Sequence, residues 1–169
     1  MIGSDFLNKR RIGIACIFVT SMIVADQISK QWVVQNINLY EKISLVPSFL
    51  YITYIQNTGA GFSILEGFGV LFFTLITLIA SGFIVYYYLK SEKLAMRISL
   101  LMILAGAWGN CLDRLLYGYV RDFIGVYILG WPFPIFNGAD ICITCGFILL
   151  IIITFWEERK EKQRWKENK

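Results

Sequence analysis

Apolar residues dominate four stretches of the chain, roughly 12–29, 68–89, 98–115 and 138–156, and polar residues crowd the segments between them. Each stretch is close to the ~20 residues that a helix needs to cross hydrocarbon, so the pattern predicts four transmembrane helices. Two segments, 30–67 and 116–137, are left outside. In the first, EKISLVPSFLYITYIQ partly alternates β-branched and aromatic residues around Pro47. That alternation predicts two or three short strands lying on the outer membrane surface. In the second, the chain around Gly118-Tyr119-Val120-Arg121-Asp122 is expected to re-enter the apolar layer after the third span. The first apolar run has the basic start and apolar centre of a cleaved signal peptide, but no small-x-small site closes it, and a retained helix is expected.

Composition sharpens the class. Of 169 residues, 57% are hydrophobic and 17% charged, with mean hydropathy +0.60. The charged fraction is well below the ~25% of soluble domains. Length and composition predict a single integral membrane domain over residues 1–169. Lys9, Arg10 and Arg11 precede the first run; Lys90, Lys93 and Arg97 separate the second from the third; Arg159, Lys160, Lys162, Arg164, Lys166 and Lys169 follow the last. Four spans return the chain to its starting side, so these clusters share one face, which the positive-inside rule makes cytoplasmic, together with both termini. The basic tail itself reads as a solvated helix end near anionic lipid. The chain has no histidine, which excludes imidazole metal ligands and Ser-His or Cys-His catalysis. Cys16, Cys111, Cys142 and Cys145 lie in or beside apolar runs and read as small packing residues.

The remaining polar residues fall at one depth. Counting from Arg97 at a helical rise of ~1.5 Å per residue, Asn110 and Asp113 stand roughly 20–24 Å up the third span, and Asp140 and Asp26 reach about the same level on the fourth and first. Ionisable groups at membrane depth are costly and usually mark a site. Blander readings exist for each. Asp26 and Lys30, four apart, suit a surface ion pair. Asn110, Asp113 and Arg114 share a helix face and suit an interhelical clamp in which the arginine neutralises the aspartate. Asn57-Thr58-Gly59-Ala60-Gly61 suits a turn, although Gly59 and Gly61 also allow close approach of a ligand. Arg121 could pair locally with Asp122. Asp140 has no basic neighbour within about fifteen residues on either side to neutralise it.

Two aspartates sharing a site can hold one proton between them, because like charges a few ångströms apart do not both ionise cheaply. The ionised member then takes a proton from water, and the protonated member polarises a carbonyl and later protonates the leaving amine. This chemistry needs no histidine, metal or cofactor. An ion or proton pathway is the chief rival, but no carboxylate lies in the cytoplasmic half of any span to continue a relay. A Ser-Lys protease built on Ser29 and Lys30 fails because neighbouring helical side chains point ~100° apart. A non-catalytic scaffold leaves Asp122 and Asp140 without a purpose.

Five blocks in order resemble the lipoprotein signal peptidase (signal peptidase II) family across almost the whole chain. They are Asp26-Gln27-Ile28-Ser29-Lys30; Asn57-Thr58-Gly59-Ala60-Gly61-Phe62-Ser63; Ala105-Gly106-Ala107-Trp108-Gly109-Asn110-Cys111-Leu112-Asp113-Arg114; Gly118-Tyr119-Val120-Arg121-Asp122-Phe123; and Phe136-Asn137-Gly138-Ala139-Asp140. The resemblance implies four transmembrane helices with a small extracytoplasmic β-sheet. It implies a catalytic dyad at Asp122 and Asp140, with supporting or substrate-binding positions at Asp26, Lys30, Asn57, Gly59, Asn110, Asp113, Arg114, Asn137 and Ala139. It also implies cleavage of diacylglyceryl-modified prolipoproteins before the lipidated cysteine, in the bacterial cytoplasmic membrane, by a monomer open to globomycin-type inhibitors and with no cofactor or nucleic-acid partner. Three positions depart from the family pattern: Gly61 where alanine is frequent, Arg121 where a second valine is common, and Gly138 where a branched residue is usual. Arg121 is expected to lower the pKa of its neighbour Asp122.

Overall fold

The computed structural model describes residues 2–59 and 69–167, with side chains from residue 9 onward. Ala60, Gly61, Phe62 and Ser63 of the second block, and the first residue of the second expected span, lie outside the described residues. Four helices carry the apolar runs: α1 (Ile2–Asn36), α2 (Gly69–Lys90), α3 (Leu94–Tyr117) and α4 (Gly138–Glu167). All four are long and apolar enough to cross a membrane. Among the described residues four strands lie between them: β1 (Lys42–Val46), β2 (Leu50–Asn57), β3 (Val120–Ile128) and β4 (Trp131–Pro132). They form one antiparallel sheet in the order β1-β2-β3-β4.

The helix α3 is the axis of the bundle. Half of its apolar window is buried, against 11–22% in the other spans, and α1, α2 and α4 pack around it. Small residues make this possible, because without a hydrophobic drive between helices in lipid, close packing carries the association. A Cβ on Gly106 would stand 2.3 Å from the Ala139 carbonyl oxygen, and one on Gly146 would stand 2.9 Å from that of Ser99. Thus α3 and α4 touch backbone to backbone at two levels. The outward faces keep their large apolar side chains exposed, among them Ile17, Leu71, Phe83 and Phe155, as lipid-facing helices do.

Two helices run beyond their apolar stretches. The upper end of α1 continues to Asn36 because Val33 and the following Ile37 bury against Tyr54 and Phe123 of the sheet. The lower end of α4 continues through the basic tail, where Lys162 pairs with Glu158 one turn away.

Segment 116–137 is built as strands. Gly118 caps α3 in the left-handed conformation (φ 83°), donating its N–H to the Arg114 carbonyl at 2.9 Å. The chain then forms β3 and turns at Leu129-Gly130, both with positive φ, into β4. The stretch VRDFIGVYI carries the β-branched and aromatic residues of a strand, and pairing with β2 satisfies its backbone. In the β2–β3 register, Leu50 faces Val126, Ile55 faces Asp122 and Asn57 faces Val120, with a bulge between Ile52 and Ile55. The approach to α4 is pinned to the same strand. Phe136 donates to Ile124 O at 3.0 Å and accepts from Ile124 N at 2.8 Å. Asn137 is thereby delivered beside Asp122.

Candidate active site

Asn137 begins the site. It is the N-cap of α4, accepting on Oδ1 from the Asp140 N–H at 3.1 Å, while Asp140 Oδ2 accepts from the Asn137 N–H at 3.1 Å. This reciprocal capping box satisfies two helix-terminal donors and fixes the Asp140 carboxylate over the first turn of α4. With its oxygen committed to the helix, Asn137 has only its NH₂ to offer elsewhere. It donates to Asp122 Oδ1 at 2.6 Å and to Asn110 Oδ1 at 3.0 Å. Asn110, from α3, donates in turn to Asp140 Oδ1 at 2.7 Å. Two amides therefore link Asp122 on the strand to Asp140 on the helix.

Asp122 is held from its other side by Asn57. The two positions are diagonal neighbours on one face of the β2–β3 ladder, within reach of each other. Asn57 Oδ1 accepts from the Gly59 N–H at 2.9 Å in an Asx-turn, which directs Nδ2 to Asp122 Oδ2 at 2.8 Å. Burial pushes the Asp122 carboxyl up to about 7, with Asn57 pulling it down, Asp140 adding to the rise, and Asn137 and Lys30 opposing it.

Behind this pair lies a buried layer of charge. Lys30 Nζ is 2.8 Å from Asp26 Oδ2, 3.4 Å from Asp113 Oδ2 and 2.9 Å from Asn110 Oδ1. Lys30 and Asp113 are fully buried. An ammonium only donates, so Lys30, together with the Asn137 NH₂, holds the oxygen end of the Asn110 amide and leaves Nδ2 for Asp140. Asp26 Oδ1 accepts from the Ala139 N–H at 2.9 Å, which ties the start of α4 to α1.

A cavity of about 670 Å³ opens in front of the aspartates. Asn57, Asn110, Arg114, Asp122 and Asp140 form its polar end. Phe73 and Thr77 of α2 and Ile141, Thr144 and Cys145 of α4 extend it along the bundle. Asp26, Lys30, Asp113, Asn137 and Ala139 stand behind that wall, and Gly59 joins it through its backbone.

Two expected pairings are replaced. Arg114 does not neutralise Asp113, since neighbouring helix positions diverge. Its Nη2 donates to Gly59 O at 2.5 Å, its Nη1 approaches Asn110 O at 3.4 Å, and its guanidinium lies 4.2 Å over the Phe73 ring. Nor does Arg121 pair with Asp122, because successive strand residues point to opposite faces. Arg121 takes Asp113 instead, with Nη2 2.7 Å from Oδ1, and Asp122 keeps a raised pKa where a lowered one was expected. The ion pair of Asp26 with Lys30 is present, but it is buried in the bundle, not on the surface. Gln27 was given no role from sequence. Its Nε2 donates to Asp113 Oδ1 at 2.9 Å and Gly109 O at 3.1 Å. Its position three residues before Lys30, on the same helical face, was the available signal.

Fold and site define a multi-pass membrane protein with a pair of carboxylates, Asp122 buried and Asp140 half-buried, facing an amphipathic cavity. The profile of the signal peptidase (SPase) II family matches residues 18–156. The chain is 38% identical over 149 residues to a lipoprotein signal peptidase of Staphylococcus carnosus, covering 86% of this chain and 93% of that one. It is 43% identical over 145 residues to that of Listeria welshimeri, covering 84% and 93%. A bacterial membrane enzyme solved by the in meso method at 2.3 Å resolution superposes with a TM-score of 0.81 at 37% identity, covering 89% of this chain and 92% of that one. The chain belongs to the signal peptidase II family and is an aspartic peptidase of the membrane.

Proposed function

We propose that Asp122 and Asp140 are the catalytic dyad of an endopeptidase that removes the signal peptide from diacylglyceryl-modified prolipoproteins, cleaving just before the lipidated cysteine. The carrying observation is the double tether of Asn137 and Asn110, which joins both carboxyls at the polar end of one cavity. At neutral pH the pair holds a single proton and titrates as a unit. The ionised carboxylate takes a proton from water as the water attacks the scissile carbonyl. The carboxyl that carries the shared proton donates to the carbonyl oxygen, and the collapse of the tetrahedral intermediate returns a proton to the leaving amine. Asn57, Asn110 and Asn137 orient the carboxyls, and Arg114 supports the cavity wall at Gly59 and Phe73. Each supporting position supplied by the family resemblance belongs to this network.

The dyad stands at the end of the bundle remote from the basic clusters, where β2 and β3 meet the helix ends. The single domain has both termini in the cytoplasm of a bacterium and its active site near the extracytoplasmic face of the cell membrane. This position suits the substrate. Extracting acyl chains from lipid costs ~0.8 kcal/mol per CH₂, whereas a dyad at the interface reaches the peptide and leaves the chains in place. The protein acts as a monomer, and globomycin-type inhibitors compete for the cavity.

The test is a gel-shift cleavage assay of a diacylglyceryl prolipoprotein with wild type, Asp122→Asn and Asp140→Asn. Both variants are expected to fold and bind inhibitor while losing at least about 10³-fold in kcat. Near wild-type cleavage by either removes that aspartate from the dyad.

A further inference from the structure

Arg121 stands one residue before Asp122, yet its side chain turns away from the cavity into the helix bundle. It is 3% exposed. Its Nη2 and Nε donate to Asp113 Oδ1 and Oδ2 at 2.7 and 3.2 Å, and its backbone N–H donates to Oδ2 at 2.9 Å. Nη2 and Nη1 also reach the side-chain oxygens of Gln27 and Gln31 at 2.7 and 3.3 Å. The guanidinium lies 4.5 Å over the Tyr117 ring. A forked, stacked guanidinium is the strong form of ion pair and is poorly mimicked by an ammonium.

The consequence falls on Lys30. The buried layer contains two carboxylates, Asp26 and Asp113, and two cations, Lys30 and Arg121. Arg121 engages both oxygens of Asp113, so Lys30 stays 3.4 Å from that carboxylate and closes instead on Asp26 and Asn110 at 2.8 and 2.9 Å. Without Arg121, Asp113 would be a buried carboxylate whose only close cation is Lys30, and the cost of leaving it unpaired would draw Lys30 away from Asn110. Asn110 Oδ1 would then keep only the Asn137 amide of its two donors, and its amide would hold Asp140 less firmly.

We propose that Arg121 is a positioning residue for the dyad: by holding Asp113 it leaves Lys30 to orient Asn110, and through Asn110 and Asn137 both aspartates. This assignment rests on the reading of Asp122 and Asp140 as the catalytic pair.

The experiment compares kcat, KM and thermal midpoint of the detergent-purified full chain with Arg121→Gln, Asp113→Asn and the double substitution, on a diacylglyceryl prolipoprotein. Arg121→Gln is expected to lower kcat about tenfold with KM changed less than about twofold. In the Asp113→Asn background the same substitution is expected to change kcat less than about twofold, since position 113 then carries no charge to draw Lys30 from Asn110. Arg121→Lys keeps the charge but not the fork, and is expected to lose about threefold in kcat. A merely structural brace would lower the thermal midpoint and leave kcat of the folded protein untouched, which overturns the proposal. An undiminished tenfold loss in the Asp113→Asn background overturns it as well. Should Arg121→Gln not fold, Arg121→Lys decides, and a wild-type kcat there counts against the positioning role. Failure of the dyad reading is separate: Asp122→Asn or Asp140→Asn would still cleave, whatever the Arg121 variants do.

Discussion

Asn137 donates to Asp122 at 2.6 Å with the same amide whose oxygen caps the helix bearing Asp140. One side chain thus performs a structural and a positioning task, and two substitutions separate them. Asn137→Ser keeps a good N-cap but removes the donor to Asp122, while Asn137→Ala removes both. Both variants are expected to lose about 10²-fold in kcat. Only the alanine variant is expected to lose about 1 kcal/mol of stability from the lost cap. Thermal melts in detergent beside cleavage rates check this, and equal melting of the two variants would deny the capping task.

The raised pKa of Asp122 gives two pH effects with one cause. Its carboxyl titrates near 3.8 when unfolded and about 7 when folded. The folded state therefore holds the proton more tightly, and stability falls as pH rises from about 4 through about 7, then levels off. Asp122→Asn is neutral throughout. Its thermal midpoint is expected to match wild type near pH 4 and to exceed it by several degrees at pH 8. A constant difference across this range would mean that Asp122 is not held protonated by burial.

Activity should follow the same proton. A dyad that needs one protonated member loses rate as the pair gives up its shared proton, so kcat is expected to fall on the alkaline side of an apparent pKa near 7. Asn57→Ala removes a donor that favours the ionised form of Asp122. This alkaline limb should therefore move to higher pH in that variant. A limb that stays in place or moves to lower pH would contradict the assignment.

Gly106 tests the contact between α3 and α4. A Cβ there would stand 2.3 Å from the Ala139 carbonyl, at the very turn that carries Asp140, whereas one on Gly82 would meet nothing within 4 Å. Gly106→Ala is expected to cost about 1–3 kcal/mol by overpacking and to lower kcat by moving Asp140. Gly82→Ala should leave both unchanged. Equal behaviour of the two variants in melts and cleavage would mean that α4 can shift away freely.

Lys30 tests the charge balance of the buried layer. Lys30→Met keeps the volume but strands Asp26 and removes one of the two donors to Asn110 Oδ1. A loss of about 3–5 kcal/mol is expected, because an uncompensated buried carboxylate remains. Recovery of the melting temperature in Lys30→Met/Asp26→Asn would trace that loss to the charge.

The four spans were legible because a run of about twenty apolar residues has one stable solution in lipid, a helix that satisfies its own backbone. The common depth of Asp26, Asn110, Asp113 and Asp140 was legible too, since helical rise converts residue number into height. The strands of 116–137 were not, because the pairing of VRDFIGVYI with β2 depends on partners 63 to 76 residues earlier in the chain. The pairing of charges was also hidden. Sequence neighbours suggested Arg114 with Asp113 and Arg121 with Asp122, but adjacent positions diverge on a helix and face opposite sides of a strand. Only the packed bundle brings Arg121 to Asp113, Arg114 to Gly59, and Asn137 between two carboxylates. Periodicity and composition act along the chain and so determined which elements exist and how deep their polar groups lie. Hydrogen bonds and ion pairs act through space over about 3 Å, so the partners of each buried group were decided by the tertiary structure alone.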